Sequence, residues 1–202
     1  MVITGIYYAL GLAAGGAAVA YLTTPLLAIP FALLAVFCLW FFRDPERTIP
    51  AGPVAVSPAD GRVVQVKPES AATRVSIFLN VFDVHVNRAP IAGKITEVVY
   101  KRGRFLVASR EQASLDNEQN IMTIESRDGI RVTFAQIAGL IARRIVCYKK
   151  PGDYVTLGER IGLIKFGSRV DVLFGPEWSV DVAAGRRVTA GATVLAHRTP
   201  AR

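Results

Sequence analysis

Residues 165–174 read KFGSRVDVLF, and this stretch decides how the C-terminal part of the chain folds. A Gly-Ser pair, Gly167-Ser168, separates two apolar runs that are typical of β-strands, 160–166 and 170–174. Glycine gives the backbone a freedom that other residues lack, so the pattern predicts a break between two strands at Ser168. Most Gly-Ser pairs between strands are simple turns, and chemistry at this pair needs support from the rest of the chain.

The charge of the chain is unevenly distributed. In 202 residues, enough for one moderate domain and an appendage, 51% are hydrophobic and the mean hydropathy is +0.35, which is high for a wholly soluble protein. No Asp, Glu, Lys or Arg precedes Arg43, so the whole formal charge of +8 lies on residues 43–202. Such a basic portion suits nucleic acid or an anionic membrane surface, and the apolar N-terminus favours the membrane.

Cysteine and histidine are both scarce. Cys38 lies in the apolar segment and Cys147 in a strand-like run, with no CxxC or Cys/His spacing that would predict a metal site or a disulfide framework. We interpret both cysteines as small buried hydrophobic residues in a reducing compartment, and we expect no metal. The two histidines are His85 and His197, so a mechanism that needs two imidazoles must use both.

The N-terminal segment reads as a membrane anchor. Residues 3–22 form an uncharged run that would span about 30 Å as a helix, and residues 26–42 form a second apolar run of about 25 Å. Aromatic residues 40–42 are followed at once by Arg43, a pattern typical of the cytoplasmic membrane interface. A cleaved signal peptide, a single span with a re-entrant piece and a buried soluble helical pair are the alternatives. We favour a helical hairpin over residues 1–48 that leaves residues 49–202 in the cytoplasm.

From residue 49 onward, short strand-like runs alternate with Gly, Pro and Asp turns, which predicts a mainly β fold, a flattened sandwich or a partly closed barrel. The run 73–84 is predicted to be one of these strands, and only residues 110–120 are long and polar enough to form a helix or an ordered loop. A faint internal repeat relates residues 151–162 to 184–195, and residues 59–66 to 91–99. These units resemble the β-sandwich of biotinyl and lipoyl carrier domains in architecture, without the attachment lysine of those carriers.

Three short stretches hold residues capable of chemistry. Asp60 lies in the Pro/Gly-flanked turn SPADG, His85 in the run NVFDVHVNRAP, and Ser168 in the stretch quoted above. An acid, an imidazole and a hydroxyl are what an activated nucleophile requires. The ordinary alternatives are a turn-capping Asp, a structural His and a turn Ser. No G-x-S-x-G elbow supports common hydrolase chemistry.

Four ordered motifs, FFRDPERTIP (41–50), SPADGRV (57–63), FDVHVNRAP (82–90) and KFGSRVDV (165–172), resemble the short, proteobacterial type of the phosphatidylserine decarboxylase family. The resemblance covers essentially the whole chain. It implies a zymogen in which Ser168 attacks the carbonyl of Gly167, and autocatalytic cleavage leaves chains 1–167 and 168–202, still associated. The second chain would begin with a covalent pyruvoyl group derived from Ser168, the cofactor for decarboxylation of phosphatidylserine to phosphatidylethanolamine at the inner membrane.

The resemblance also implies roles for individual residues. His85 would be the base near Ser168 and a candidate proton donor in decarboxylation, with Asp60 orienting it. Arg88 is a candidate contact for the lipid carboxylate or phosphate, and a solvated surface charge is the equal alternative. Longer bacterial enzymes of the family carry an H-x-x-H arrangement, whereas here Arg88 stands at the second place. The resemblance also allows a homo-oligomer.

Three other functions remain open. One is a decarboxylase for another serine-headed lipid, such as an archaetidylserine-like ether lipid. Another is an uncleaved, non-enzymatic membrane-anchored domain. A nucleic-acid binder ranks third, because the basic charge is scattered and lacks a set of stacking aromatics.

Overall fold

The structure of the protein is a computed structural model that describes residues 1–108, 112–140, 144–165 and 167–199. The chain divides into two compact units, Met1–Glu46 and Arg47–Arg202. The first unit is helical and the second is β-rich.

Two antiparallel helices make up the N-terminal unit. Helix α1 covers Ile3–Leu22, a short 3-10 helix covers Pro25–Ala28, and helix α2 covers Ile29–Phe41. The two ends of the hairpin meet, because the Val2 N–H donates to the Phe42 carbonyl over 2.9 Å. The expected helical hairpin is therefore present.

The two helices differ in length. Among the described residues, α1 is the helix that is long and apolar enough to cross a membrane, judged by length and composition. The apolar helical stretch Pro25–Phe41 is shorter and would extend only about 25 Å. At its end the Arg43 guanidinium lies 4.2 Å from the Trp40 ring centroid, the cation–π contact that suits a membrane interface.

An eight-stranded antiparallel sheet, curled into a half-barrel, dominates the β-rich unit. Its order is β13-β2-β3-β11-β7-β6-β5-β9. The strands are β2 (Gly61–Glu69), β3 (Ala72–Leu79), β5 (Gly93–Lys101), β6 (Gln119–Glu125), β7 (Arg131–Ile137), β9 (Tyr154–Val155), β11 (Ser168–Phe174) and β13 (Arg187–Val188).

Two three-stranded antiparallel sheets complete the unit, in the orders β1-β14-β12 and β4-β10-β8. Their strands are β1 (Val54–Val56), β4 (Val86–Arg88), β8 (Arg144–Cys147), β10 (Arg160–Lys165), β12 (Trp178–Val180) and β14 (Val194–Arg198). Alternate residues of the central strands, such as Ile77, Phe134 and Val172, are fully buried and form one core. The mainly β prediction, a partly closed barrel preceded by apolar helices, is confirmed.

The strands fall into two sets with the same order and pairing. One set is β4 to β10, and the other is β1 to β3 together with β11 to β14. Each set supplies one three-stranded sheet and half of the large sheet. The second set is split, because the whole first set is inserted between β3 and β11. The faint repeats in the sequence coincide with equivalent strands, since 151–162 contains β9 and 184–195 contains β13.

One local expectation differs from the structure. The apolar run 73–84 was expected to be one strand, but β3 ends at Leu79 because Asn80 and Asp83 form a turn in which the Asn80 N–H donates to the Asp83 carboxylate over 2.9 Å. The polar stretch 110–120 holds only the one-turn helix α3, Ala113–Asp116, before β6 begins; residues 110 and 111 lie outside the described residues.

Candidate active site

Ser168 is the first residue of β11, paired with Leu79 of β3, so it begins a strand rather than lying in a break between strands. It is fully buried, and among the described residues its hydroxyl has no hydrogen-bond partner. A buried hydroxyl without a partner is costly, and such groups are common at reactive sites. Gly167, just before it, has a φ of 62°, in the left-handed region that favours glycine.

His85 lies against this peptide. Its Nδ1 is 2.9 Å from the Asp83 carbonyl oxygen, and the Gly167 N–H donates to its Nε2 over 3.2 Å. Because a carbonyl can only accept, these partners place the proton on Nδ1 and leave Nε2 as an acceptor. The side chain is 2% exposed. A neutral imidazole therefore accepts at Nε2 from the backbone N–H of Gly167, the residue before Ser168.

Asp60 is bound by two other groups. Its Oδ2 accepts from the Arg47 guanidinium and its Oδ1 from the Ala190 N–H, each over 2.8 Å. Burial raises the pKa of the Asp60 carboxyl above its usual value, although the Ala190 amide and Arg47 act against that rise. Asp60 thus joins Arg47, at the start of the β-rich unit, to the segment after β13. Its role in orienting His85 stays a prediction.

Arg88 lies at the end of the β4–β10 pair that is remote from Gly167, since Arg88 pairs with Arg160 whereas Val86 pairs with Leu163. Its guanidinium donates to the Gly158 carbonyl over 3.1 Å, and the residue is 5% exposed. The structure does not bring Arg88 together with Ser168 and His85 in the way that the motif order suggests. Its contact with a lipid headgroup stays a prediction.

Two residues that the sequence analysis missed shape the surroundings of the Gly167 carbonyl. A Cβ on Gly139 would lie 2.3 Å from the Gly167 oxygen, so this loop approaches the carbonyl as closely as only glycine allows. Asn117 is fully buried, exchanges two hydrogen bonds of 2.9 Å with the Leu106 backbone, and donates to the Ala138 carbonyl over 2.7 Å. It therefore holds two loops together beside the site. Neither residue stands in a recognisable motif, and only the tertiary contacts identify them.

A cavity of about 310 Å³ opens beside Gly167. Its lining is mostly apolar and comprises Phe78, Asn80, Val81, Val107, Ala108, Leu140 and Gly167. A larger cavity of about 730 Å³, lined in part by Lys94, Glu125 and Tyr154, lies at the other end of the sheet, so size alone does not identify the site. Gly167 lines the smaller cavity, whose apolar walls suit the hydrocarbon part of a ligand.

Behind β11 lies a buried polar cluster. The Arg169 Nε donates to Asp171 Oδ1 over 2.6 Å, and its Nη2 donates to Ser76 Oγ over 2.6 Å. Asp171 also accepts from the Ser114 hydroxyl over 2.6 Å. Both members of the ion pair are at most 4% exposed at the side chain. The cluster connects the residue after Ser168 to strand β3 and helix α3.

Comparison with known proteins identifies the family. The phosphatidylserine decarboxylase family model matches residues 34–196. A phosphatidylserine decarboxylase proenzyme of Solibacter usitatus is 69% identical over 198 residues, 98% of this chain and 97% of that protein. The chain belongs to the phosphatidylserine decarboxylase family. Proenzymes of the same name from Nitratidesulfovibrio vulgaris and Ruegeria pomeroyi are 49% and 50% identical, covering 86% and 81% of this chain and 83% and 80% of their own lengths. The resemblance drawn from the four motifs is confirmed.

Proposed function

We propose that the protein is a self-processing phosphatidylserine decarboxylase that cleaves its own Gly167–Ser168 bond and uses the resulting pyruvoyl group to form phosphatidylethanolamine and CO₂. The observation that carries the proposal is the buried Ser168 hydroxyl, which no described residue binds, next to Gly167, whose backbone N–H donates to His85 Nε2. The chain that holds this arrangement is closely related to proteins named as proenzymes of this activity. The residues present fit the group, because the hydroxyl from which it would form is already placed in the site.

Cleavage begins when Ser168 Oγ bonds to the Gly167 carbonyl carbon. The hydroxyl proton passes to a base, and the amide bond breaks as its nitrogen gains a proton. Loss of the Cα proton of residue 168 then expels the Gly167 carboxylate and leaves dehydroalanine. Water replaces its nitrogen, releasing ammonia and leaving a ketone. His85 Nε2 accepts from the N–H of Gly167, the residue whose carbonyl Ser168 would attack, so we assign it the Ser168 proton.

When formed, the pyruvoyl group supplies a ketone that binds the substrate amine and accepts the electron pair left by CO₂. The chain's own residues position and protect it. Residue 168 is held between β3 and β7 through the pairings of β11, and its burial limits the access of water. Decarboxylation consumes one proton, and we assign its relay from solvent to His85 Nε2, which is an acceptor in this structure and must take up that proton first.

The apolar N-terminus and the positive charge of the chain suit a substrate that lies in a membrane. Helix α1 is apolar enough for a membrane, the formal charge is +8, and the substrate is an anionic lipid. We place the protein at the inner membrane with its β-rich unit in the cytoplasm, following the arginines that succeed the aromatic residues 40–42. The central position of β11 in the sheet would keep chains 1–167 and 168–202 together after cleavage. An ether-linked serine lipid remains the alternative substrate.

The test is mass spectrometry of the purified protein combined with a lipid assay. We expect two chains, with the 168–202 piece shifted in mass by a ketone-reactive amine, and conversion of phosphatidylserine to phosphatidylethanolamine in detergent micelles. A chain of one mass that forms no phosphatidylethanolamine would overturn the proposal. If the protein forms two chains but decarboxylates only the ether-linked lipid, the alternative substrate replaces phosphatidylserine in the proposal.

The substitution Gly139→Ala should slow self-cleavage. The added methyl group would lie 2.3 Å from the oxygen of the carbonyl that Ser168 attacks, so the loop or the peptide must move. A displacement of about 1 Å at a reacting centre can cost about 100-fold in rate. The time course of cleavage on gels measures the rate of self-cleavage. The matched control is Gly175→Ala, whose methyl group meets only the flexible end of Glu177. Equal cleavage rates in the two variants would contradict the role given to Gly139.

The substitution Asp60→Asn should slow self-cleavage and change the pH dependence of stability. Because the pKa of Asp60 is raised in the folded protein, the folded form binds a proton at a pH where the unfolded chain does not. The contribution of Asp60 to stability therefore grows as the pH falls through that raised pKa, and it is complete below the ordinary value of 3.8. Urea unfolding of an uncleaved Ser168→Ala chain, with and without Asp60→Asn, should show that the chain retaining Asp60 gains stability relative to the variant as the pH falls. A difference in the free energy of unfolding between the two chains that does not vary with pH would contradict the raised pKa of Asp60.

A further inference from the structure

The cavity beside Gly167 has an apolar mouth. Phe82, Val107 and Leu140 surround it and are 68%, 40% and 54% exposed; we call these three residues the cavity rim. Val107 and Leu140 line the cavity, and Phe82 follows Val81, which also lines it. Three large apolar side chains exposed around the opening of a reactive cavity indicate a contact surface rather than scattered exposed residues.

The rim is held in place by the fold. Phe82 lies in the turn in which its own N–H donates to Asn80 Oδ1 over 2.7 Å and the Asp83 carboxylate accepts from the Asn80 N–H. The Asn117 side chain binds the backbone of Leu106, the residue before Val107. It also binds the backbone of Ala138, two residues before Leu140. The structure thus keeps these side chains exposed by fixing the backbone beneath them.

Cations flank the rim. Arg187 forms an ion pair over 3.2 Å with Asp83, the residue that follows Phe82, and the Arg187 side chain is 72% exposed. Arg102 and Arg104 are exposed a few residues before Val107. Apolar side chains bordered by arginines are typical of a surface that enters a bilayer while its charges meet lipid phosphates.

We infer that the cavity rim is a membrane-contacting entrance: Phe82, Val107 and Leu140 enter the acyl region of an anionic bilayer and admit the lipid to residue 168. The inference rests on the proposed function for its substrate. It adds a membrane contact made by the β-rich unit itself, in addition to the N-terminal helices. A lipid drawn from this surface brings its headgroup to Gly167 while its acyl chains remain among apolar side chains.

The first test needs no activity. An uncleaved Ser168→Ala chain with Cys38→Ser and Cys147→Ser receives one cysteine, Phe82→Cys or Tyr154→Cys, which is labelled with bimane. Tyr154 is 73% exposed but lies at the other end of the sheet, where it pairs with Lys94. In anionic vesicles that contain brominated acyl chains, bimane at position 82 should be quenched and bimane at position 154 should not. Equal fluorescence at the two positions would overturn the inference, whatever the chain catalyses.

The second test compares two substrates. Phe82→Asp should lower kcat/KM for long-chain phosphatidylserine in vesicles by about tenfold or more, because a charge replaces a side chain that would be buried in the bilayer. Self-cleavage should be unchanged, and activity on short-chain phosphatidylserine dissolved as monomers should stay within about threefold. The control Tyr154→Asp should leave both activities unchanged. Equal losses on both substrates, or no loss in vesicles, would overturn the inference.

Discussion

A chain in which Ser168 is replaced by alanine is expected to remain a single polypeptide of 202 residues with no decarboxylase activity. The fold should persist, because Ser168 makes its strand contacts through the backbone and its hydroxyl has no partner to lose among the described residues. Without Oγ, neither the ester nor the ketone can form. Removal of this buried hydroxyl should even leave stability unchanged or slightly raise it. Intact mass, a lipid assay and urea unfolding measure the three effects.

Two companion variants make the result specific. Ser57→Ala removes another fully buried serine hydroxyl, one that donates to the Ala59 carbonyl over 2.7 Å, and should still be cleaved. Ser168→Cys retains a nucleophile at the same atom position and should be cleaved at a lower rate. A Ser168→Ala chain that still divides at residue 167 would remove Ser168 from its proposed role. Failure of all three variants to cleave would point to a general folding defect.

The sequence allowed prediction of the fold class and of the residues that stand in short motifs. Alternating apolar runs and turn residues predicted a β-rich unit, and the uncharged N-terminus predicted the helices. The motifs that hold His85 and Gly167-Ser168 meet in the structure, because the Gly167 N–H donates to His85 Nε2. Local patterns carry such information because strand periodicity and turn chemistry depend on neighbouring residues.

Contacts between distant segments could not be predicted in this way. Asp60 binds Ala190, which is 130 residues away, and Gly139 approaches the Gly167 carbonyl from another loop. No local pattern encodes such pairings, because they depend on how the two strand sets are assembled. The end of β3 at Leu79 was missed for a local reason, since the Asn80 and Asp83 side chains override the strand propensity of the apolar residues around them.

The duplicated strand pattern explains the position of the Gly167–Ser168 peptide, the proposed cleavage site. In one set, β6 and β7 form a hairpin whose turn contains Gly129 with a φ of 80°. In the other, the equivalent strands β3 and β11 pair in the same way, but the whole first set is inserted in place of the turn. Gly167 keeps a left-handed φ at the start of β11. Cleavage there cuts an interrupted hairpin and leaves the pairing of β3 with β11 intact.

The substitution Arg169→Met should have the largest effect on stability. It leaves the Asp171 carboxylate buried without its 2.6 Å partner, and breaking a buried pair costs about 3–5 kcal/mol. The double variant Arg169→Met/Asp171→Leu should recover most of that loss, because no charge is left buried without its partner. The control Arg74→Met removes a cation that lies 3.6 Å from Asp171 and also pairs with Glu69, and it should cost less. Urea unfolding in the uncleaved Ser168→Ala background gives the free energies of unfolding.

The same variants separate stability from register. A slip of β11 by one residue would turn Arg169 toward the apolar core and Ser168 away from His85, so the buried charge penalises the wrong pairing with β3. Before cleavage the chain connection through Gly167 also opposes a slip, whereas after cleavage the pairing and the Arg169 cluster hold residue 168. The double variant, although stable when uncleaved, should therefore lose its 168–202 chain faster than the wild type once cleaved, as native mass spectrometry in dilute urea would measure. Equal retention of that chain in the double variant and the wild type would show that strand pairing alone fixes residue 168.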